Sequence, residues 1–167
     1  DGLRTLLRTM DLPDMVEKTL RYPGHAERMA MLRELGFFSA EPLELSNGRV
    51  SPLELTSRLL FDEWRLEPGT EELTVMRVEV KGEREGRPLT LRADLLDRRD
   101  PVSDEFSMAR TTGLPAALTA LALLRGEGPA PGLLPGECLA EDDAFFADLL
   151  KGLREEGVSI EFSEISG

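Results

Sequence analysis

An α+β fold is predicted by three observations on the amino-acid sequence. Two alternating apolar runs, residues 73–80 and 89–96, face each other across a charged, glycine-containing connector and read as an antiparallel hairpin. Helical spacing lies on both sides of that hairpin. No succession of strand, helix and parallel strand of the kind a doubly wound nucleotide domain requires is visible. At 167 residues the chain is long enough to bury a real core, and residues 1–167 read as one domain.

The elements follow in chain order. From Gly2 to Met10, Leu3, Leu6, Leu7 and Met10 share one helical face, and Arg4 and Arg8 lie on the other, so a first packing helix is expected. After Pro13, residues 15–22 alternate as a short strand would, with Val16, Lys18, Leu20 and Tyr22 on one side and Arg21 pointing away from Tyr22. Pro23-Gly24 breaks that run. A helix then extends to Leu35, with Gly36 as its C-cap candidate.

A connector follows, with a short strand at Leu43–Leu45 and a turn at Asn47-Gly48. Ser51-Pro52-Leu53-Glu54 combines a Ser N-cap, a Pro at the first helical position and a Glu at the third, which predicts a helix to about Arg65. Its apolar side, Leu55, Leu59, Leu60 and Trp64, is expected in the core. In the hairpin, Met76, Val78 and Val80 on one arm and Leu89, Leu91, Ala93 and Leu95 on the other form the face to be buried, with residues 81–87 as its solvent-exposed end. Residues 107–117 lead into an apolar helix ending at Leu124, kinked at Pro115. Four glycines and three prolines between Gly126 and Gly136 make a rigid loop. A last helix over residues 141–156 turns Phe145, Leu149, Leu150 and Leu153 inward, and a final strand is expected at residues 158–162.

Composition excludes several function classes. The formal net charge of −12 argues against nucleic acid or an anionic membrane surface as a partner, and solubility explains it. Seventeen of the twenty basic residues are Arg, which looks more like base composition than a binding patch. One Cys, Cys138, excludes an internal disulfide and, with a single His, argues against a metal site. An intracellular, cytoplasmic location follows, since the longest apolar run, residues 114–124, is too short to span a bilayer and no signal-peptide pattern opens the chain. The chain begins with Asp rather than Met, so a longer polypeptide is expected.

Two stretches carry candidate chemistry. The only Tyr and the only His, Tyr22 and His25, share the turn at Pro23-Gly24, where a helix N-terminus offers unsatisfied N–H groups and a positive dipole. A plain turn with His25 as a partial cap explains the same residues. At the second stretch, Pro115 leaves the carbonyl of Thr111 without its helical partner, beside Arg110 and the hydroxyls of Thr111 and Thr112. The alternative is that Thr111 and Thr112 satisfy that carbonyl themselves and Arg110 pairs with a carboxylate such as Asp97 or Asp100. No Gly-x-Gly-x-x-Gly or P-loop pattern follows a predicted strand.

The segments EKTLRYPGH, DGLRTLL ahead of it, DLLDRRD at the hairpin's end, SMARTTGLPAA and GLLPGE stand in the order and at about the spacing found in the saccharopine dehydrogenase family. The chain resembles the C-terminal domain of that family over nearly its whole length, with the bacterial lysine 6-dehydrogenases and saccharopine-dehydrogenase-like proteins as the nearest branch. The resemblance implies a mixed sheet with helices mainly on one face, serving substrate binding and dimer contact. It places the Rossmann domain, and with it most of the site for NAD or NADP, outside this chain. It implies an oxidoreductase that moves a hydride between nicotinamide and an amine-bearing carbon of lysine or a lysine-derived amino acid, with the isolated chain inactive. Arg21, Tyr22 and His25 match the first motif, and Arg110, Thr111 and Thr112 the second. On that match Tyr22 and His25 are expected to be catalytic and the other four to bind substrate. A non-catalytic binding or dimerisation domain, and a carboxynorspermidine synthase-like reductase forming polyamines, stand as alternatives.

Overall fold

The computed structural model describes residues 3–128 and 132–166. In chain order the elements are α1 (Leu6–Thr9), α2 (His25–Glu34), β1 (Leu43–Leu45), β2 (Gly48–Val50), α3 (Pro52–Glu63), β3 (Leu73–Arg84), β4 (Arg87–Arg98), α4 (Ser107–Leu124), α5 (Gly136–Leu139), α6 (Asp143–Glu155) and β5 (Ile160–Ser166). The α+β class is as expected. Every strand pairing among the described residues is antiparallel, β1 with β2 and β3-β4-β5 in a second sheet, where a mixed sheet was expected. The residues fall into two compact units, one of residues 13–67 and one joining the chain up to Leu12 with the chain from Pro68 onward.

In the first unit, residues 15–22 form no strand, because no neighbouring strand takes up their backbone groups, and Val16 and Leu20 stay exposed. The helix after them starts where expected, with Gly24 at φ 81° as its N-cap. It ends in a Schellman motif: Phe37 N–H donates to the Leu32 carbonyl and Gly36 N–H to the Arg33 carbonyl, each at 3.0 Å, with Gly36 at φ 85°. The β1–β2 ribbon turns through Ser46 and Asn47, since Leu45 pairs with Gly48. Ser51 caps α3 by accepting the Glu54 N–H at 3.4 Å, with Pro52 as the first helical residue. The apolar side of α3 is not a core. Leu55, Leu59 and Trp64 are exposed, Leu60 is half-buried, and Thr56 is the fully buried residue of the helix. A unit this small encloses little surface of its own.

In the second unit the hairpin is longer than expected. Arg84 pairs with Arg87 across Glu85-Gly86, whose φ values of 54° and 74° give a two-residue turn. The charged residues 81–87 continue the ladder because backbone groups hold it while their side chains reach water. One face of the sheet carries cross-strand pairs directly opposite in register, Arg77–Asp94 at 2.6 Å and Arg92–Glu79 at 2.8 Å. The other is apolar. Its base at Leu95 packs with Leu153 and Val158, flanked by Leu114 and Leu118 of α4, Leu149 of α6 and Ile160 of β5. A side chain at Gly152 would meet Leu118 at 3.0 Å, so a glycine there lets α6 approach α4. Elsewhere the same face is open: Met76 opposite Leu95, and Val78, Val80, Leu91 and Phe162, are exposed, where one buried face was expected along the hairpin.

Helix α6 begins under Asp142, whose Oδ1 accepts the N–H groups of Ala144 and Phe145 at 3.0 and 3.1 Å. It buries Phe145 and Leu153. The last strand starts at Ile160 and runs to Ser166, later than the expected 158–162, because Val158 is used as a core residue, 2% exposed. The first helix is confined to residues 6–9, and Gly2, its expected start, lies outside the described residues. Residues 129–131 of the expected rigid loop do so too. No helix among the described residues is long and apolar enough to cross a membrane.

Candidate functional site

The first motif lies in the unit of residues 13–67. His25 N–H donates to the Tyr22 carbonyl at 3.1 Å, closing a turn whose middle is Pro23 and the left-handed Gly24. This puts Tyr22 on the surface, 84% exposed, and His25 half-buried as the first residue of α2. Arg21 is exposed, and its guanidinium donates at 3.0 Å to the carbonyl of Leu20. Three polar side chains capable of hydrogen bonding to an amine or a carboxylate are thus clustered on five residues of chain. A neighbour that local periodicity does not signal is Trp64, thirty-nine positions on, whose ring centroid lies 6.4 Å from that of His25.

The second motif lies in the other unit. Arg110 is 8% exposed and all its directions are used: Nε donates to Asp97 at 3.4 Å, Nη1 to Asp100 at 3.2 Å and Nη2 to the Glu156 carbonyl at 2.9 Å. A Cβ on Gly157 would stand 3.3 Å from the same guanidinium. For Arg110 the carboxylate pairing posed as the alternative is therefore the one adopted. Thr111 is half-buried and returns its hydroxyl to the Ser107 carbonyl at 2.8 Å, and Thr112 is exposed. Pro115 sits within α4 without ending it.

Beside this cluster is a polar group that local sequence does not disclose. Ser107, fully buried at the start of α4, bonds to Thr74 at 2.7 Å and donates to Glu72, whose other oxygen accepts the Met108 N–H at 3.2 Å. Glu72 is thus the cap of α4, supplied from 36 residues away in sequence. The Asp100 carboxyl is held below its ordinary range by the backbone N–H groups of Val102 and Ser103 and by Arg110. Burial pushes the half-buried Cys138 thiol up, assisted by Glu141 and Glu137.

Among the described residues no group of three or more His, Cys, Asp or Glu is placed to hold a metal ion. A groove of about 540 Å³ between α4 and α6, lined by Leu118, Leu121, Phe145 and Leu149 with a charged rim, includes none of the six motif residues. Three of the helix starts are also closed to a dinucleotide phosphate. The N-termini of α3, α4 and α6 are closed by Ser51, Glu72 and Asp142, and none follows a glycine-rich turn out of a long strand.

Comparison with known proteins gives two findings. The model of the saccharopine dehydrogenase C-terminal domain matches residues 2–158. A carboxynorspermidine synthase of Vibrio cholerae serotype O1 (strain ATCC 39315 / El Tor Inaba N16961) is 35% identical over 117 residues, 67% of this chain and 28% of that protein. The chain thus spans less than a third of that relative's length. With a match that covers every element up to the end of α6 and stops just before the last strand, the chain belongs to the saccharopine dehydrogenase C-terminal domain family.

Proposed function

We propose that this chain is the substrate-binding and dimerisation domain of a longer, cytoplasmic NAD(P)-dependent oxidoreductase that acts at the amine or imine carbon of lysine or a lysine-derived amino acid. The observation that carries the reading is the turn at Tyr22–His25 in a chain of this family: a phenol and an imidazole within one hydrogen-bonded turn, next to an accessible guanidinium. NAD or NADP, held by another part of the protein, supplies the hydride acceptor or donor. The residues of this chain bind and orient the substrate. Arg21 pairs with its carboxylate, since the planar fork suits that group and the fork of Arg110 is taken up by Asp97 and Asp100. Tyr22 and His25 hydrogen-bond the amine, and His25 carries its proton at an imidazole nitrogen as the carbon–nitrogen bond changes order.

The similarity to a carboxynorspermidine synthase supports a second reading, in which the substrate is a carboxylated polyamine imine. Both readings use one carboxylate and one amine, so the same residues serve. The test is nicotinamide turnover by the full-length protein with L-lysine, saccharopine and a carboxylated polyamine as separate substrates, NAD and NADP in turn, together with its mass in solution. Turnover with one substrate fixes the reading. Turnover with none, by a protein that is dimeric, would replace both with a non-catalytic dimerisation role.

A further inference from the structure

Trp64 sits where its apolar character explains little. It closes α3 as the C-cap residue, is 52% exposed, and contributes to no buried cluster. Its contact is with His25: the two ring centroids are 6.4 Å apart and the planes tilted by 42°. That separation falls within the range over which aromatic rings attract, with a tilt between the offset-stacked and edge-to-face arrangements. The two helices present these residues from opposite ends, α2 with its first residue and α3 with its C-cap residue. Ser51, by capping α3 at its other end, fixes where that helix starts and so where Trp64 emerges twelve residues after Pro52.

A half-buried imidazole at a helix start still has more than one side-chain rotamer open to it, and a ring packed on one flank removes some of them. On the reading above, in which His25 meets the substrate amine, we infer that Trp64 is a positioning residue: it holds the His25 ring in the orientation from which its nitrogen reaches that amine. Pre-organised groups of this kind act through the rate of the bound complex rather than through cofactor affinity.

His25 is the only histidine and Trp64 the only tryptophan, so the ring-proton signals of each are identified in this chain without further assignment. Nuclear Overhauser contacts between the two rings are expected in the wild-type chain. Trp64→Leu is expected to move the His25 ring-proton signals by removing the ring current, and Trp64→Phe to restore part of that displacement. In the full-length protein, Trp64→Leu is expected to lower kcat about tenfold or more, leave KM for the nicotinamide unchanged, and be largely rescued by Trp64→Phe. Absence of ring-to-ring contacts in the wild type overturns the inference without any variant having to fold, and so does an unchanged kcat in a folded Trp64→Leu protein. If His25→Gln turns over like wild type while the ring contacts persist, the role given to His25 is what has failed, and the positioning role falls with it.

Discussion

Asp97, on β4, and Arg110, on α4, are an ion pair in which both side chains are under one-tenth exposed, with Nε and Oδ2 3.4 Å apart. It ties the end of the hairpin to the first turns of the helix that covers it. Removing one partner of a buried pair leaves a desolvated charge without compensation, at a cost of about 3–5 kcal/mol. Arg110→Ala is therefore expected to lower the urea midpoint sharply, and Asp97→Asn in the same background to recover part of the loss. Arg21→Ala, at an exposed position, leaves the midpoint in place. An Arg110→Ala protein as stable as wild type would return that guanidinium to the list of substrate ligands.

Arg21 itself reads out on substrate. A charge-assisted hydrogen bond to a carboxylate contributes about 1.5–3 kcal/mol, so Arg21→Ala in the full-length protein is expected to raise KM for the amino-acid substrate by roughly tenfold to a hundredfold. Steady-state kinetics with the cofactor saturating gives the answer. An unchanged KM removes the carboxylate assignment.

Ser107 and Glu72 stabilise α4 together. Ser107→Ala leaves the Thr74 hydroxyl and a Glu72 oxygen without the partner they now share, and Glu72→Ala uncovers the Met108 N–H. Each change is expected to cost about 1–2 kcal/mol. The double variant should lose less than the sum, because the two residues share one hydrogen bond. Additive losses in a double-mutant cycle would show that they act separately.

Stability should fall with acid in a way that traces to named carboxylates. Asp100 is held down by the N–H groups of Val102 and Ser103, Asp94 by the hydrogen bond from Arg77, and Glu137 by the hydroxyl of Thr9. Since the folded-state values lie below the unfolded ones, near about 3.9 for Asp and 4.3 for Glu, their contribution is fully present above roughly pH 5. It is lost as pH falls through the depressed values. Urea midpoints measured from pH 7 to pH 3 should hold steady and then drop, and Asp100→Asn should flatten the drop. A slope unaltered by that substitution would place the acid sensitivity elsewhere.

The hairpin turn gives a local test. Gly86 stands at φ 74°, a region that costs an L-residue about 1–2 kcal/mol, and open space surrounds it, so Gly86→Ala is expected to lose about that amount through backbone strain alone. Glu85, at φ 54°, already bears such a cost, and Glu85→Gly should regain part of it. Thermal unfolding of both variants reads the two signs, and equal melting temperatures would remove the strain argument.

The sequence by itself determined the elements whose causes are local. Ser51-Pro52 started α3, Gly36 ended α2, Pro23-Gly24 set the turn that carries His25, and the alternation at residues 73–96 announced the hairpin, because each depends on residues a few positions apart. Family membership was legible for the same reason, in short motifs such as EKTLRYPGH. Only the tertiary structure decided which polar groups were taken and which left accessible. Arg110 and Arg21 look alike in sequence. One is consumed by carboxylates ten and thirteen residues away, and the other stays on the surface. It also denied residues 15–22 a strand partner, left the apolar side of α3 uncovered and set Trp64 against His25. Such pairings depend on which surfaces meet when distant segments pack, and that is a property of the folded chain that local spacing does not encode.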